Sequence, residues 1–201
     1  MINRCFWCSE DAEYIAYHDT EWGIPVRDDR HLFELLCLEG QQAGLSWLVV
    51  LRKRAHYRKV FKNFEIAPVS RMKDKTLEAL VSDAGLIRNR LKLFSIRSNA
   101  LAALALQKEF GSLESYFWRF VDNHPIDGGG RHASAIPART ALSDALCKDL
   151  KKRGFKFIGS TICYAFLQAG GLVNDHTGDC FRYSEQRQAN GTRLAARSKA
   201  Y

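Results

Sequence analysis

One stretch constrains this chain more than any other: Cys37-Leu38-Glu39-Gly40-Gln41-Gln42-Ala43-Gly44-Leu45-Ser46-Trp47-Leu48. Leu32, Leu35 and Leu36 lead into it at helical spacing, and an apolar-then-basic run follows it. Between them sit a carboxylate, two amides, two glycines and an indole. A core helix has no use for Glu39, because burying an unpaired carboxylate is expensive. Glycines weaken a helix and let another group approach its backbone. Two readings are open. The residues form a kinked helix pair in which Glu39 caps a helix end or pairs with an arginine. Alternatively, the carboxylate and the aromatic plate receive a flat, polar, cationic ligand.

The chain is long enough for one large domain, with 201 residues and 46% hydrophobic content. Its net charge of +8 points to a polyanionic partner, nucleic acid or an acidic membrane surface. No apolar run approaches the ~18–20 residues that span a bilayer. The N-terminus soon meets Glu10, Asp11 and Glu13, unlike a signal or transit peptide. The expectation is a cytoplasmic protein without a membrane partner. In such a chain the six cysteines read as free thiols or metal ligands rather than disulfides. Cys37, Cys147 and Cys163 lie in apolar helical patterns and read as core residues.

No strand of convincing length shows period-two alternation, whereas helical spacing recurs. Asp74 is placed to cap a helix carrying Leu77, Leu80 and Val81, with Gly85 as its stop. Ile87, Leu91, Phe94, Leu101 and Leu104 mark the inner face of a longer helix ending at Gly111, and Ser112 can cap the next. Leu142, Leu146 and Leu150 step four residues at a time. Residues 161–169 are apolar nearly all round and predict a buried helix closed by Gly170-Gly171. Residues 123–139, with two prolines and Gly128-Gly129-Gly130, read as a loop. The fold class expected is all-α, with one compact domain over 1–183 and a basic, disordered tail over 184–201.

Two half-sites at opposite ends of the chain have metal-ligand character. Cys5 precedes His18, and His176 stands three residues before Cys180 at a spacing that can serve one ion from one turn. A Cys₂His₂ set closes a tetrahedron around Zn²⁺ and leaves no open position, so the ion would be structural. Such a clip would tie the termini together and constrain the unfolded chain. Cys5-Phe6-Trp7-Cys8 is also a C-x-x-C, so Cys8 could replace or join Cys5, or the pair could be redox active.

Arg52, Lys53, Arg54, Arg58, Lys59 and Lys62 form a basic helix face of the kind that is usually just solvated. Residues 150–161 are more informative, because a helix ends in cations, a turn bounded by glycines follows and hydroxyls begin the next helix. This pattern fits a helix-hairpin-helix, although an ordinary αα-hairpin fits too. The glycines Gly154 and Gly159 let a phosphate approach the backbone, and Ser160 and Thr161 lie where a helix N-terminus favours an anion. Lys152, Arg153 and Lys156 add sequence-blind attraction to the DNA backbone.

Taken together, these residues resemble the DNA-3-methyladenine glycosylase I family, the Tag-type branch of the helix-hairpin-helix glycosylases. The likeness runs through nearly all of residues 4–180. It rests on Arg4-Cys5, on residues 14–23 (Tyr-Ile-Ala-Tyr-His-Asp-Thr-Glu-Trp-Gly), on residues 38–47, on Asp83-Ala84-Gly85-Leu86-Ile87-Arg88, on the hairpin at 151–161 and on Gly171-Leu172-Val173-Asn174-Asp175-His176. The resemblance implies a helix-hairpin-helix glycosylase fold with one structural zinc held by Cys5, His18, His176 and Cys180. It implies that Glu39 is the catalytic carboxylate of a base pocket. It also implies that Tyr17 and Trp47 contact a flipped base and that Trp7, Trp22 and Tyr14 complete the wall. Cys8, the triple-glycine loop and the tail depart from the family pattern.

The implied activity is hydrolysis of the N-glycosidic bond of 3-methyladenine in double-stranded DNA by a monomeric enzyme, leaving an abasic site. Methylation at N3 makes the base cationic and activates it as a leaving group. An ionised Glu39 is acceptor-only and would receive the exocyclic amine. No lysine lies in the pocket blocks, so a Schiff-base lyase step is not expected. Asp175 sits where relatives in the wider superfamily carry a catalytic aspartate, but the resemblance assigns it no such role. The rival readings are a zinc-stabilised DNA-damage binding module without catalysis, and a redox or metal-sensing regulator built on Cys5 and Cys8.

Overall fold

The computed structural model describes residues 2–198. It is a packed array of helices, in order α1 (Ala12–Thr20), α2 (Asp29–Gln42), α3 (Trp47–Val60), α4 (Ile66–Ser70), α5 (Asp74–Leu80), α6 (Arg90–Phe110), α7 (Leu113–Trp118), α8 (Ala141–Lys152), α9 (Ser160–Ala169) and α10 (Phe181–Ser198). The periodic residues of α2 and α8 behave as their spacing requires, but on α6 Leu91 and Leu101 face solvent and the buried stripe runs through Leu93, Ile96, Ala100, Ala103 and Leu106, because α2 packs on that face. Leu32, Leu35, Leu36 and Leu38 are buried on α2, and Leu146 and Leu150 on α8. Gly111 ends α6 with φ +85°, and the Ser112 hydroxyl accepts from the Ser115 N–H to start α7. Cys37, Cys147 and Cys163 are buried free thiols.

Helix α2 runs through the middle of the molecule and packs against α3, α6, α7 and α9. It is so enclosed that Glu34 is fully buried, bonded by Arg30 at 3.0 Å and Arg58 at 2.8 Å. The kink after α2 is pinned from inside. The Lys92 ammonium donates to the carbonyls of Gln41 and Ala43 at 2.8 and 2.7 Å, an internal C-cap.

Other expectations also differ from the structure. Asp74 is the first residue of α5 rather than its cap, because its carboxylate pairs with Arg97 at 2.5 Å. Gly85 lies in a turn beyond the end of α5, where its N–H meets Asp83 Oδ1 at 2.7 Å. The loop at 123–139 contains β1 (Ile126–Asp127), paired in parallel with β2 (Val173–Asn174). Those two residues per strand are too few for alternation to mark them in the sequence. Beyond Tyr183, α10 continues through Ser198 where a disordered tail was expected, and residues 199–201 of that tail lie outside the described residues. Among the described residues, no helix is long and apolar enough to cross a membrane.

Candidate functional site: an aromatic cavity beside a Cys/His cluster

The N-terminal segment, α1, α2, the start of α3 and α9 converge on one cavity of about 180 Å³. Its lining is Trp7, Tyr14, Tyr17, Trp22, Glu39, Gln42, Trp47, Ala165 and Gln168. The Asp11 carboxylate caps α1, accepting from Glu13 and Tyr14 N–H, and so sets the helix that carries Tyr14 and Tyr17. Glu39 sits in the last turn of α2, and Trp47 opens α3 after the kink. Gly40 makes room behind them: a Cβ there would stand 3.0 Å from the Phe157 carbonyl oxygen. The 153–159 hairpin thus seats its backbone directly on α2.

The rings form a continuous wall. Trp7 stands 4.9 Å from Trp22 and 5.1 Å from Tyr14, centroid to centroid, and Tyr17 stands 5.4 Å from Trp47. Tyr17 is held from behind by Arg54, 5.8 Å above its ring, whose guanidinium is itself fixed by Glu21 at 2.6 Å. Three polar groups are left for a ligand. Glu39 is 5% exposed and makes no hydrogen bond among the described residues, so burial pushes its carboxyl up to about 8. Among the described residues, the Tyr17 hydroxyl and the Trp47 Nε1 are buried without a hydrogen-bond partner. Burial and the Glu39 charge raise the Tyr17 phenol well above its ordinary value, so it keeps its proton.

Beside this wall, the metal-ligand types of the two chain ends meet. One atom each from Cys5, His18, His176 and Cys180 lies within 4.8 Å of the others, and all four residues are buried. Cys5 Sγ is 3.3 Å from His176 Nδ1, and Cys180 Sγ is 3.4 Å from His18 Nε2. A tetrahedral Cys₂His₂ ion reaches its ligands at about 2.0–2.3 Å, and a set of donors this close together is of the size such an ion draws in. His18 gives its other ring nitrogen to Asp19 at 2.8 Å, and Arg4 holds Asp19 at 2.7 Å, which fixes which nitrogen faces the cluster. Cys8 stands outside the set, with its thiol toward the Ser9 carbonyl at 3.7 Å. The cluster can therefore hold a metal ion with four protein ligands.

The hairpin is formed as its glycines suggest, with Gly154 at φ +90° and Gly159 as the uncapped entry to α9. Asn99 clamps it, accepting from Lys156 N–H at 2.8 Å and donating to the Lys156 carbonyl at 3.2 Å. Lys152, Lys156 and Thr161 are exposed. Ser160 Oγ meets Ser143 Oγ at 2.8 Å, which ties the two helices of the hairpin together. Arg153 is engaged within the protein, bound to Glu109 at 2.6 Å and Asp149 at 2.8 Å. On α3, Arg52, Arg54 and Arg58 pair with Asp11, Glu21 and Glu34, so that basic face is largely committed to ion pairs.

A sequence profile of the methyladenine glycosylase family matches residues 7–183. The chain belongs to that family. Among curated methyladenine glycosylases, the DNA-3-methyladenine glycosylase 1 of Escherichia coli (strain K12) is 50% identical over 182 residues, covering 90% of this chain and 97% of that protein. A crystal structure of 3-methyladenine DNA glycosylase I (TAG) superposes with a TM-score of 0.87 at 51% identity, covering 89% of this chain and 98% of the other. The Staphylococcus aureus member, whose structure describes 3-methyladenine recognition, gives 0.86 at 37% identity, with 90% and 96% covered. Three lining residues of this methyladenine glycosylase escaped the sequence reading: Gln42, Ala165 and Gln168. For Gln42 a signal was present in the adjacent pair of amides. Gln41 turns inward to Tyr57 at 3.1 Å, while Gln42 faces the cavity, and only the helix phase separates them. Gln168 and Ala165 carry no local signal, because they lie on a helix that reads as core.

Proposed function

We propose that this chain is a monomeric, cytoplasmic repair enzyme that flips 3-methyladenine out of double-stranded DNA and hydrolyses its N-glycosidic bond. The observation that carries this reading is the cavity that joins Glu39 to the Tyr17 and Trp47 rings in one open pocket. The related proteins named above, which bear this activity in their names, support it.

Flipping costs a few kcal/mol, least for a damaged pair. Stacking on Trp47 and Tyr17 returns roughly 1–3 kcal/mol per base, and a cationic base gains further from the ring faces. Trp7, Trp22 and Tyr14 close the wall and exclude water. Glu39 supplies the charge complement: a neutral adenine gives a buried carboxyl no reason to ionise, whereas a cationic N3-methyl base does. Entry of the lesion thus ionises Glu39, which then accepts the exocyclic amine and favours the positive base over its neutral counterpart. Tyr17 O–H and Trp47 Nε1–H are the donors for ring-nitrogen acceptors. Lys152 and Lys156, with the N–H groups of Gly159, Ser160 and Thr161 at the start of α9, hold the phosphates. Arg153 and Gly154 shape the hairpin that presents them.

The ion we assign to Cys5, His18, His176 and Cys180 is Zn²⁺. Two thiolates and two imidazoles suit it, and the burial of all four with their ligand atoms within 4.8 Å of one another supports it. Bound there, it supplies a structural cross-link. The test of function is incubation with methylated duplex DNA and chromatography of the released bases. Release of 3-methyladenine, with the strand uncut until alkali is added, is the expected result. Tight DNA binding with no base released would instead leave a damage-binding module.

A further inference from the structure

Gln168 on α9 and Asp175 just after β2 have no role in this account. Gln168 lines the base cavity with Glu39, and also an adjoining, largely apolar cavity of about 210 Å³ with Ile136, Pro137 and Thr161. Asp175 is 3% exposed. Its carboxylate accepts from the Tyr164 hydroxyl and, at 3.0 Å, from Gln168 Nε2. Arg131 approaches the other oxygen at 3.4 Å. Gly128 of the triple-glycine loop lies directly over it, where a Cβ would come within 2.0 Å of Oδ1. The loop therefore seals Asp175 away from any substrate.

A carboxylate only accepts hydrogen bonds, so the end of the Gln168 amide that faces Asp175 is its NH₂. The carbonyl Oε1 is then the polar atom left for the cavity. An unclamped glutamine could turn either end to a ligand, but this one is held. We propose that Gln168 is a specificity-determining residue of the base pocket, offering a fixed carbonyl acceptor to the exocyclic amine of the bound purine and rejecting a 6-keto purine, with Asp175 as the positioning residue. The proposal rests on the reading of the cavity as an alkylated-adenine pocket.

The chemistry favours this assignment. Helices α2 and α9 pack on one another, so Glu39 and Gln168 border the same cavity from two elements. A 6-amino group has two N–H bonds and can satisfy both acceptors. A 6-keto oxygen there would meet the Gln168 carbonyl, acceptor against acceptor, and leave that carbonyl unpaired in a buried site. A site built to bond an amine rejects the analogue without it far more strongly than shape alone can.

The probes are 3-methyladenine and 3-methylhypoxanthine, which carry a 6-amino and a 6-keto group. Their binding is read by quenching of the pocket tryptophans. The parent protein should bind the amino base at least tenfold more tightly. Gln168→Met keeps the length and removes the acceptor, so this ratio should fall about tenfold, mainly by weaker binding of the amino base. Asp175→Asn allows the Gln168 amide to reverse and should lower the ratio in the parent, but should leave it unchanged in the Gln168→Met background. Unchanged discrimination in Gln168→Met, with melting temperature retained, would overturn the proposal. An additive effect of Asp175→Asn in the double variant would show a merely structural role for Asp175 and overturn that half. If the parent fails to release 3-methyladenine from DNA, the functional reading itself fails. The two failures are therefore distinguishable.

Discussion

His176 stands edge-on to Trp22, with ring centroids 4.6 Å apart and planes at 88°. One ring belongs to the Cys/His cluster and the other to the cavity wall. On the opposite side His18 lies 5.2 Å from Trp7. The cluster is thus the backing of the aromatic wall as well as a tie between the chain ends. Metal removal should therefore be felt in the pocket. Freshly purified protein should contain about one zinc per chain. Chelation should lower the melting temperature, expose the Cys5 and Cys180 thiols to titration, and shift tryptophan emission to the red. Metal-free protein with unchanged emission and stability would remove the clip and its link to the pocket.

The raised Glu39 carboxyl has a stability consequence with a definite sign. Its folded value of about 8 lies above the ordinary 4.5, so the folded state holds a proton that the unfolded chain has released between those values. Stability is lost as pH rises through that window. Glu39→Gln removes the effect and should stabilise the protein by about 4 kcal/mol at pH 8 and by almost nothing at pH 4. The same substitution should reduce base release about a hundredfold while DNA binding changes little. Thermal melts at the two pH values, set beside single-turnover assays, check both halves. Equal activity of variant and parent would sink the catalytic role.

Binding of the cationic lesion requires Glu39 to give up that proton. Single-turnover excision by the parent should accordingly rise with pH up to about 8 and then level. The rise should be absent in Glu39→Gln. A parent profile flat from pH 6 to pH 9 would show that this carboxyl does not titrate in the reaction.

At Gly40, alanine would gain about 1 kcal/mol of helix propensity if nothing opposed it. The Phe157 carbonyl, 3.0 Å from the new methyl group, opposes it, and overpacking of this kind costs about 1–3 kcal/mol. Gly40→Ala should lower the melting temperature and weaken DNA binding, since the displaced hairpin carries Lys156. A stabilised variant would show that the hairpin yields at no cost.

The hairpin cations divide into two kinds. Lys152 and Lys156 are exposed, and among the described residues neither has an ion-pair partner; Arg153 is bound to Glu109 and Asp149. Replacing both lysines with alanine should reduce the slope of log affinity against log salt by about 2, since each phosphate contact contributes about one. Arg153→Ala should mainly cost stability. Salt titrations of duplex binding distinguish the two, and an equal slope change for Arg153→Ala would reverse the assignment.

Much of this molecule is legible before folding. The apolar periods of α2, α8 and α9 depend on local sequence alone, because a helix must bury one stripe or, for α9, nearly all of its surface; on α6 the position of the helix was legible but its buried stripe was not, since Leu91 and Leu101 face solvent. The residue types of the Cys/His cluster and the block around Glu39 are equally visible, since few structural roles call for those side chains together. What is not legible is partnership. Asp74 looks like a helix cap until Arg97 comes within reach, and Arg153 looks like a phosphate ligand until Glu109 and Asp149 do.

The sequence by itself determined most of the helical segments and which side chains could bind a metal or a cationic base. The tertiary structure decided which of those side chains are free to act. It left Cys8 outside the cluster, separated Gln42 from Gln41, spent Arg153 on carboxylates and placed Gln168 against Asp175. The reason is physical. Helix formation is set by neighbours within a turn or two, whereas hydrogen bonding and desolvation are set by whatever lies within about 3 Å in space. In this fold those neighbours often come from residues far away along the chain.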